Sequence, residues 1–377
     1  MGNVEKEDLS RNQPSFYRPE LDVLRFLAFL LVFLHHVLNA KSPIGQAVQL
    51  ASASGVCLFF LLSSYLITEL LQREAASTGT INLRAFYVRR ILRIWPLYFG
   101  FLLFGYAIDR FSHPHQLSVG SIFAFLFLAG NWYAAKYGFV VSVVSPLWSI
   151  SVEEQFYLFW PSLRRFFGPY TALITAFATL PAAYITIAWL CHRNASLYIQ
   201  IWTNTLVQAQ FFGIGAVLAF LLRGRIPRLH SAVRLGLFSF GLLFLFIGQY
   251  VFHVKNLLGT SSVRETSCGY LCFAAGCTAL LFSFLGFSRI RSWRLPIYLG
   301  KISYGLYVFH MLAHRIFFHT LDPFFRRLQL TGTVADALRV LLVLAICVLL
   351  AHLSYLHVER PFLRLKDRFA IIRTRAV

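Results

Sequence analysis

The sequence predicts an all-α membrane protein, a polytopic bundle of about ten transmembrane helices with a re-entrant or interfacial segment. Of its 377 residues, 58% are hydrophobic and only 13% are charged. The apolar residues gather in runs of about twenty, the length of helix that crosses roughly 30 Å of hydrocarbon. A soluble domain carries roughly a quarter charged residues, so lipid is the solvent for most of this surface.

The first twenty residues include Glu5, Lys6, Glu7, Asp8 and Arg11 and hold no apolar stretch, so no cleavable signal peptide is expected before the first span. Lys6 stands where a myristoylation motif wants Ser or Thr. Spans are predicted at 22–40, 50–72, 94–110, 149–166, 170–191, 200–222, 234–253, 267–287, 296–319 and 336–358. The stretch 119–135 is apolar but short and ends in Gly130, Asn131 and Trp132, so it is expected to be re-entrant or interfacial. Residues 1–20 and 361–377 read as tails, and 21–360 as one transmembrane domain.

Loop charge sets the orientation, because Lys and Arg collect on the cytoplasmic side. Basic residues mark the connections holding Arg73 to Arg93, Arg223 to Arg234 and Arg289 to Arg294, and the tail from Arg360 onward. The connections around 41–49, 192–198 and 254–266 are poorer in base. Both termini are therefore expected in the cytoplasm, which requires an even number of crossings.

The net charge of +20 comes from short loops without a dense basic face, which argues against nucleic acid and for anionic membrane lipids or a phosphate-rich cofactor. Six cysteines, Cys57, Cys191, Cys268, Cys272, Cys277 and Cys347, lack paired-knuckle spacing, so neither a metal site nor a disulfide framework is expected. No internal repeat marks a secondary transporter.

Ionisable groups within spans cost at least about 2.5–3.5 kcal/mol, which makes each a functional candidate. The first span carries His35 and His36 beyond Arg25. Eleven residues of helix turn through about 1100°, so His36 returns to within about 20° of the face of Arg25, about 16 Å deeper. A basic mouth and a deep imidazole on one stripe suit a path to a general base. The bland reading is a histidine satisfied by a neighbouring helix.

In FYVRRILRIWP, at 86–96, Arg90 and Arg93 share a helix face. They form a cationic fork suited to phosphate, or else ordinary positive-inside anchors. In PLWSISVEEQFYLFWP, at 146–161, Glu153 and Glu154 open a span, with Tyr157 at i+4 from Glu153. An interfacial aromatic belt explains the tryptophans there but not two adjacent acids. In LGKISYGLYVFH, at 299–310, His310 reads as an interhelical hydrogen bond or a second site group. Glu359 before Pro361 reads as the close of the last helix.

Together with ELDVLRFLAFLLVFLHH, GVCLFFLLSSYLIT and VERPF, these segments resemble, in order and from about Arg18 to Phe362, the integral-membrane acyltransferase family three. Its members O-acylate bacterial surface polysaccharides, peptidoglycan, lipo-oligosaccharide signals and some antibiotics. The family's basic residue, ten residues, then histidine fall on Arg25 and His36, its arginine pair on Arg90 and Arg93, and its Ser-x-Glu element on Ser151 and Glu153. Where the second-helix motif usually reads Ser-Gly-Tyr, this chain has Ser63, Ser64 and Tyr65, which puts helix packing or acceptor shape there in question. The esterase-like domain fused to some members is not expected after the last span.

The resemblance implies an acyl-CoA-dependent O-acyltransferase of the bacterial inner membrane, with acetyl-CoA or another acyl-CoA as donor and no metal. A carbohydrate or glycolipid is the implied acceptor, and polysaccharide-assembly proteins are implied partners. Arg90 and Arg93 would hold the donor's phosphates. His36 would act as base or acyl relay, with Glu153 orienting it and Arg25 beside the path. Trp148, Ser151, Tyr157, Tyr304 and His310 are the expected substrate-binding residues. The rival reading is a proton-coupled transporter relaying through His36, Glu153 and His310.

Overall fold

A computed structural model describes residues 16–40, 42–112, 117–193, 198–255 and 262–372. The expectations for Glu5 to Arg11 and for the last five residues of the tail lie outside the described residues. Among the described residues the chain is helical and has no strands.

Helix α1 is Pro19–Val37, and α2 (Pro43–Ala51) runs through a tight turn into α3 (Gly55–Thr78). Helix α4 (Leu83–Ser112) is followed by the short α5 (Val119–Leu126) and α6 (Gly130–Tyr137). Next come α7 (Leu147–Phe166), α8 (Gly168–His192), α9 (Tyr198–Trp202), α10 (Thr205–Leu222), α11 (Ser231–Tyr250) and α12 (Val263–Phe284). The last are α13 (Arg294–Lys301), α14 (Ser303–Thr320), α15 (Asp322–Arg327), α16 (Thr333–Ser354) and α17 (Arg360–Asp367).

Seven helical segments among the described residues are long and apolar enough to cross a membrane. The segments that match the other three predicted spans are α1, α7 and α13 with α14, and these are the ones that carry His36, Glu153 and His310. Their polar groups are costly toward lipid, so they are helices whose faces belong inside the bundle.

The most apolar window of Pro43–Thr78 is 83% buried, against 22% for those of Gly168–His192, Ser231–Tyr250 and Thr333–Asp367. Helix α3 is therefore central and the other three are peripheral. Helix α1 sits between two apolar clusters, with Leu24, Ala28 and Val32 in one and Phe29, Phe33 and Val37 in the other.

Helices α3 and α10 approach closely at Ser64, the position where the family's motif usually has glycine. Ser64 is buried and donates to the carbonyl of Leu61 at 3.2 Å. A Cβ on the facing Gly215 would lie 2.1 Å from Ser64 Oγ. Gly215 is the small residue that leaves room for this hydroxyl, and Ser64 packs helices rather than lining a cavity.

Two expectations about helix ends are corrected. Helix α4 begins at Leu83, so Arg84 to Arg93 stand on the helix itself rather than in a loop before it. The last helix does not close at Glu359: a π-turn over Tyr355–Glu359 leads into α17, with Pro361 in its first turn. The Arg360 N–H reaches back to the carbonyl of Tyr355, and this wider turn carries the helix past a proline that has no N–H to give.

Helices α5 and α6 hold eight residues each and break at Leu128, whose φ is +56°. Eight residues rise about 12 Å, too little to cross a bilayer.

The basic connections meet at one end of the bundle, as the loop charges predicted. Arg89 donates to the carbonyl of Phe369 at 2.7 Å, and Arg18 to that of Gly224 at 3.3 Å. The amide of Gly286 donates to Glu20 at 3.1 Å. Arg234 is buried and donates to the carbonyls of Ser283 and Leu285 at 3.0 and 2.9 Å, which satisfies the C-terminal end of α12.

Candidate active site

Helix α1 delivers both histidines to a cavity of about 440 Å³ at the end opposite the arginines. His36 Nδ1 lies 2.9 Å from the carbonyl of Val32, one turn back. A carbonyl only accepts, so the neutral ring carries its proton on Nδ1 and a lone pair on Nε2. That nitrogen has the electronic form of a general base or an acyl acceptor. The His36 ring lies 4.8 Å from that of His35 and 4.8 Å from that of His310.

His310 is fully buried, with Nδ1 2.6 Å from the carbonyl of Tyr307 on its own helix and Nε2 without a partner among the described residues. Among the described residues it makes no interhelical hydrogen bond, one of the two roles its place in the sequence suggested. It backs the ring of His36 instead.

At the arginine end, two smaller cavities of about 130 and 70 Å³ share Arg25, Arg90 and Arg93 on their walls. Arg25 lies 3.5 Å from Asp22, and the guanidinium of Arg90 sits 5.0 Å from the centre of the Tyr157 ring. In the smaller cavity Glu153 accepts hydrogen bonds from Ser63 and Tyr157. Tyr304 lines the same cavity and donates to the carbonyl of Ile94 at 2.8 Å. Glu154 turns away and accepts from Trp95 at 3.0 Å.

The cavities run in series. The two inner ones meet at the three arginines, and the smaller of them shares Val56 and Tyr307 with the outer, histidine-lined cavity. Tyr307 and Ser149 hydrogen-bond at 2.5 Å, and Tyr307 also donates to the carbonyl of Pro146 at 3.2 Å. Tyr307, with Val56, thus stands between the arginine side and His36.

The sequence-predicted residues divide accordingly. Arg25, Arg90, Arg93, Glu153, Tyr157 and Tyr304 share the small inner cavity, while His36 and Trp148 share the outer one. Glu153 is not placed to orient His36, whose Nδ1 the Val32 carbonyl already holds. Ser151 lies on neither wall; it is buried, donates to the carbonyl of Leu147 and accepts from the amide of Gly130, both at 3.3 Å.

Sequence reasoning missed Ser63, Ser149, Tyr307, Trp202 and Lys255. Tyr307 was findable, since it sits three residues before His310 on one helix face. Lys255 was signalled only as one of two bases, with Arg264, in a connection poorer in them than those of the other end.

A family model described as an acyltransferase domain matches residues 18–354. The chain is 26% identical over 374 residues to Peptidoglycan O-acetyltransferase OatA of Listeria monocytogenes, covering 92% of this chain and 56% of that protein. It is 29% identical over 383 residues to the Putative peptidoglycan O-acetyltransferase YrhL of Bacillus subtilis, covering 93% and 56% respectively. The chain thus spans little more than half the length of these curated relatives. No solved structure matches it.

Proposed function

The chain belongs to the integral-membrane acyltransferase family three, and from that membership we propose that it moves an acetyl or other acyl group from acyl-CoA to a hydroxyl of a carbohydrate acceptor. The arginine end faces the cytoplasm of the bacterial inner membrane in this reading, with both termini on that side. The names of the relatives support acetyl as the group and a peptidoglycan-like glycan as the acceptor class.

The observation that carries the reading is the series of cavities: arginines at one end, an imidazole with a free lone pair at the other, and Tyr307 with Val56 between them. Guanidinium groups bind phosphate oxygens bidentately, so Arg25, Arg90 and Arg93 suit the phosphates of a CoA ester. The thioester on its flexible arm then reaches toward Tyr307 and His36.

Two routes end in the same ester. In the direct one, His36 Nε2 takes the proton of the acceptor hydroxyl as its oxygen attacks the thioester carbonyl; the C–S bond breaks and the thiolate leaves. In the relay, Nε2 attacks first and the C–S bond breaks, giving an acyl-imidazolium and the CoA thiolate; the acceptor oxygen then displaces the imidazole, and its hydroxyl proton passes to the freed Nε2.

The test is transfer of label from acetyl-CoA to a glycan by the purified protein in lipid nanodiscs. General-base catalysis is worth about 10²–10⁴-fold, and His36→Ala is expected to lose that much while remaining folded and inserted. Full transfer by this variant would remove His36 from the chemistry.

A further inference from the structure

The wall of the outer cavity carries more positive charge than acyl transfer itself needs. Lys255 and Arg315 both line it, with His314 and His319 beside them, and among its described lining residues there is no Asp or Glu. Lys255 is only 6% exposed. Its Nζ lies 2.8 Å from His35 Nε2 and 5.3 Å from the centre of the Trp202 ring.

His35 fixes who donates. Its Nδ1 lies 2.8 Å from the carbonyl of Gln49, so the proton sits on Nδ1 and Nε2 accepts from the lysine. The partners of Lys255 are thus a neutral imidazole and ring faces, with no ion pair to a carboxylate among the described residues. The adjoining segments 194–197 and 256–261 contain no acidic residue in sequence.

A buried cation is expensive unless it is paired, and an apolar residue would fill this place more cheaply. A lysine held on the wall of a reactive cavity, with no carboxylate partner among the described residues, is matched to a counter-ion that arrives with the substrate. Trp148 and Trp202, 6.4 Å apart on the same wall and 6% and 3% exposed, give the cavity an apolar lining beside the lysine.

We propose that the acceptor is an acidic carbohydrate, a glycan unit carrying a carboxylate or phosphate, whose anion is held between Lys255 and Arg315 while its sugar ring meets the apolar wall that Trp148 and Trp202 back. The assignment rests on the acyl-transfer reading of the same cavity. It adds the acceptor's charge and names Lys255 as the residue that selects it.

Binding is measured on the His36→Ala protein in nanodiscs of neutral lipid, by quenching of tryptophan fluorescence. The probes are a neutral N-acetylglucosamine disaccharide, a disaccharide containing a uronic acid, and N-acetylglucosamine 1-phosphate. At least one acidic probe is expected to bind about tenfold more tightly than the neutral one, a difference of about 1.4 kcal/mol. Which acidic probe binds distinguishes carboxylate from phosphate.

Lys255→Met is expected to abolish the preference, and Arg315→Gln, at the half-buried rim, to reduce it even should the buried variant fold poorly. Equal binding of all three probes, tighter binding of the neutral one, or an acid preference that survives both substitutions would overturn the proposal. Competition by anionic phospholipid but by neither acidic sugar would also overturn it. Wild-type transfer assays separate the two readings: acid-selective binding without transfer to any acceptor defeats the acyltransferase assignment, whereas equal transfer to neutral and acidic sugars defeats only this one.

Discussion

The hydroxyls of Tyr307 and Ser149 lie 2.5 Å apart on the boundary between the cavity that holds Glu153 and the one that holds His36. Tyr307→Phe keeps the ring but loses a hydrogen bond worth about 0.5–1.5 kcal/mol net, so transfer should fall several-fold with little hydrolysis. Tyr307→Ala removes the ring itself. Its expected signature is release of free acetate from acetyl-CoA rising relative to transfer, measured with and without acceptor. An unchanged ratio would mean that this ring does not separate donor from water.

Arg90 and Arg93 line both inner cavities, so each should act on donor binding rather than on the chemical step. Charged hydrogen bonds contribute about 1.5–3 kcal/mol, and Arg90→Ala or Arg93→Ala should raise KM for acetyl-CoA by about tenfold or more. Since kcat should change little, steady-state kinetics separate this from loss of catalysis. Lysine at either place should recover only part, because a point charge cannot grip phosphate in a fork. A fall in kcat at constant KM would place these arginines elsewhere in the mechanism.

The stripe from Arg25 to His36 was readable in the sequence because helix geometry is rigid: eleven residues place both groups along one path whatever surrounds them. The arginine fork and the Glu153 contact with Tyr157 follow from the same i,i+3 and i,i+4 rules. The partner of His36 was not readable. A triad analogy pointed to Glu153, but the nearest carbonyl, Val32, fills that role, and which helices bring Ser63, Ser149 and Tyr307 together is a matter of tertiary packing. Lys255 was hidden for a related reason, since a loop residue acquires meaning only when the fold lays it against His35.

Two glycines mark where helices touch, and their replacement tests the packing. A Cβ on Gly300 would lie 1.8 Å from the carbonyl oxygen of Asp22, and one on Gly215 would lie 2.3 Å from that of Leu61. Backbone cannot move aside as a side chain does, so Gly300→Ala and Gly215→Ala should each cost about 1–3 kcal/mol or more through overpacking. Thermal unfolding in detergent should rank both below Ser64→Gly, whose expected cost is about 0.5 kcal/mol of helix propensity. Ser64→Gly should rescue Gly215→Ala only in part, because the Leu61 carbonyl remains. Full rescue would show that Ser64 Oγ alone sets the distance between these helices.

Burial pushes the Lys255 ammonium down to about 7, far below the usual lysine range. Between about pH 7 and the unfolded value near 10.4, the unfolded chain binds the extra proton, so this residue makes the fold more stable as pH rises through that window. Below about 7 both states are charged and the contribution is flat. Acceptor binding runs the other way. An anionic acceptor needs the ammonium, so above about pH 7 it must bring a proton with it, and its KM should rise by up to about tenfold per pH unit. The groups facing Lys255 are His35, His36, Tyr198 and Cys57, with His314, His319 and Arg315 also on the cavity wall. To separate its titration from theirs, KM is measured from pH 6 to 9 for acidic and neutral acceptors in the wild type and in Lys255→Arg. The guanidinium stays charged throughout, so the rise for the acidic acceptor should vanish in the variant, while neutral acceptors should show no such rise in either protein. A rise that persists in Lys255→Arg would trace the pH dependence to the histidines instead.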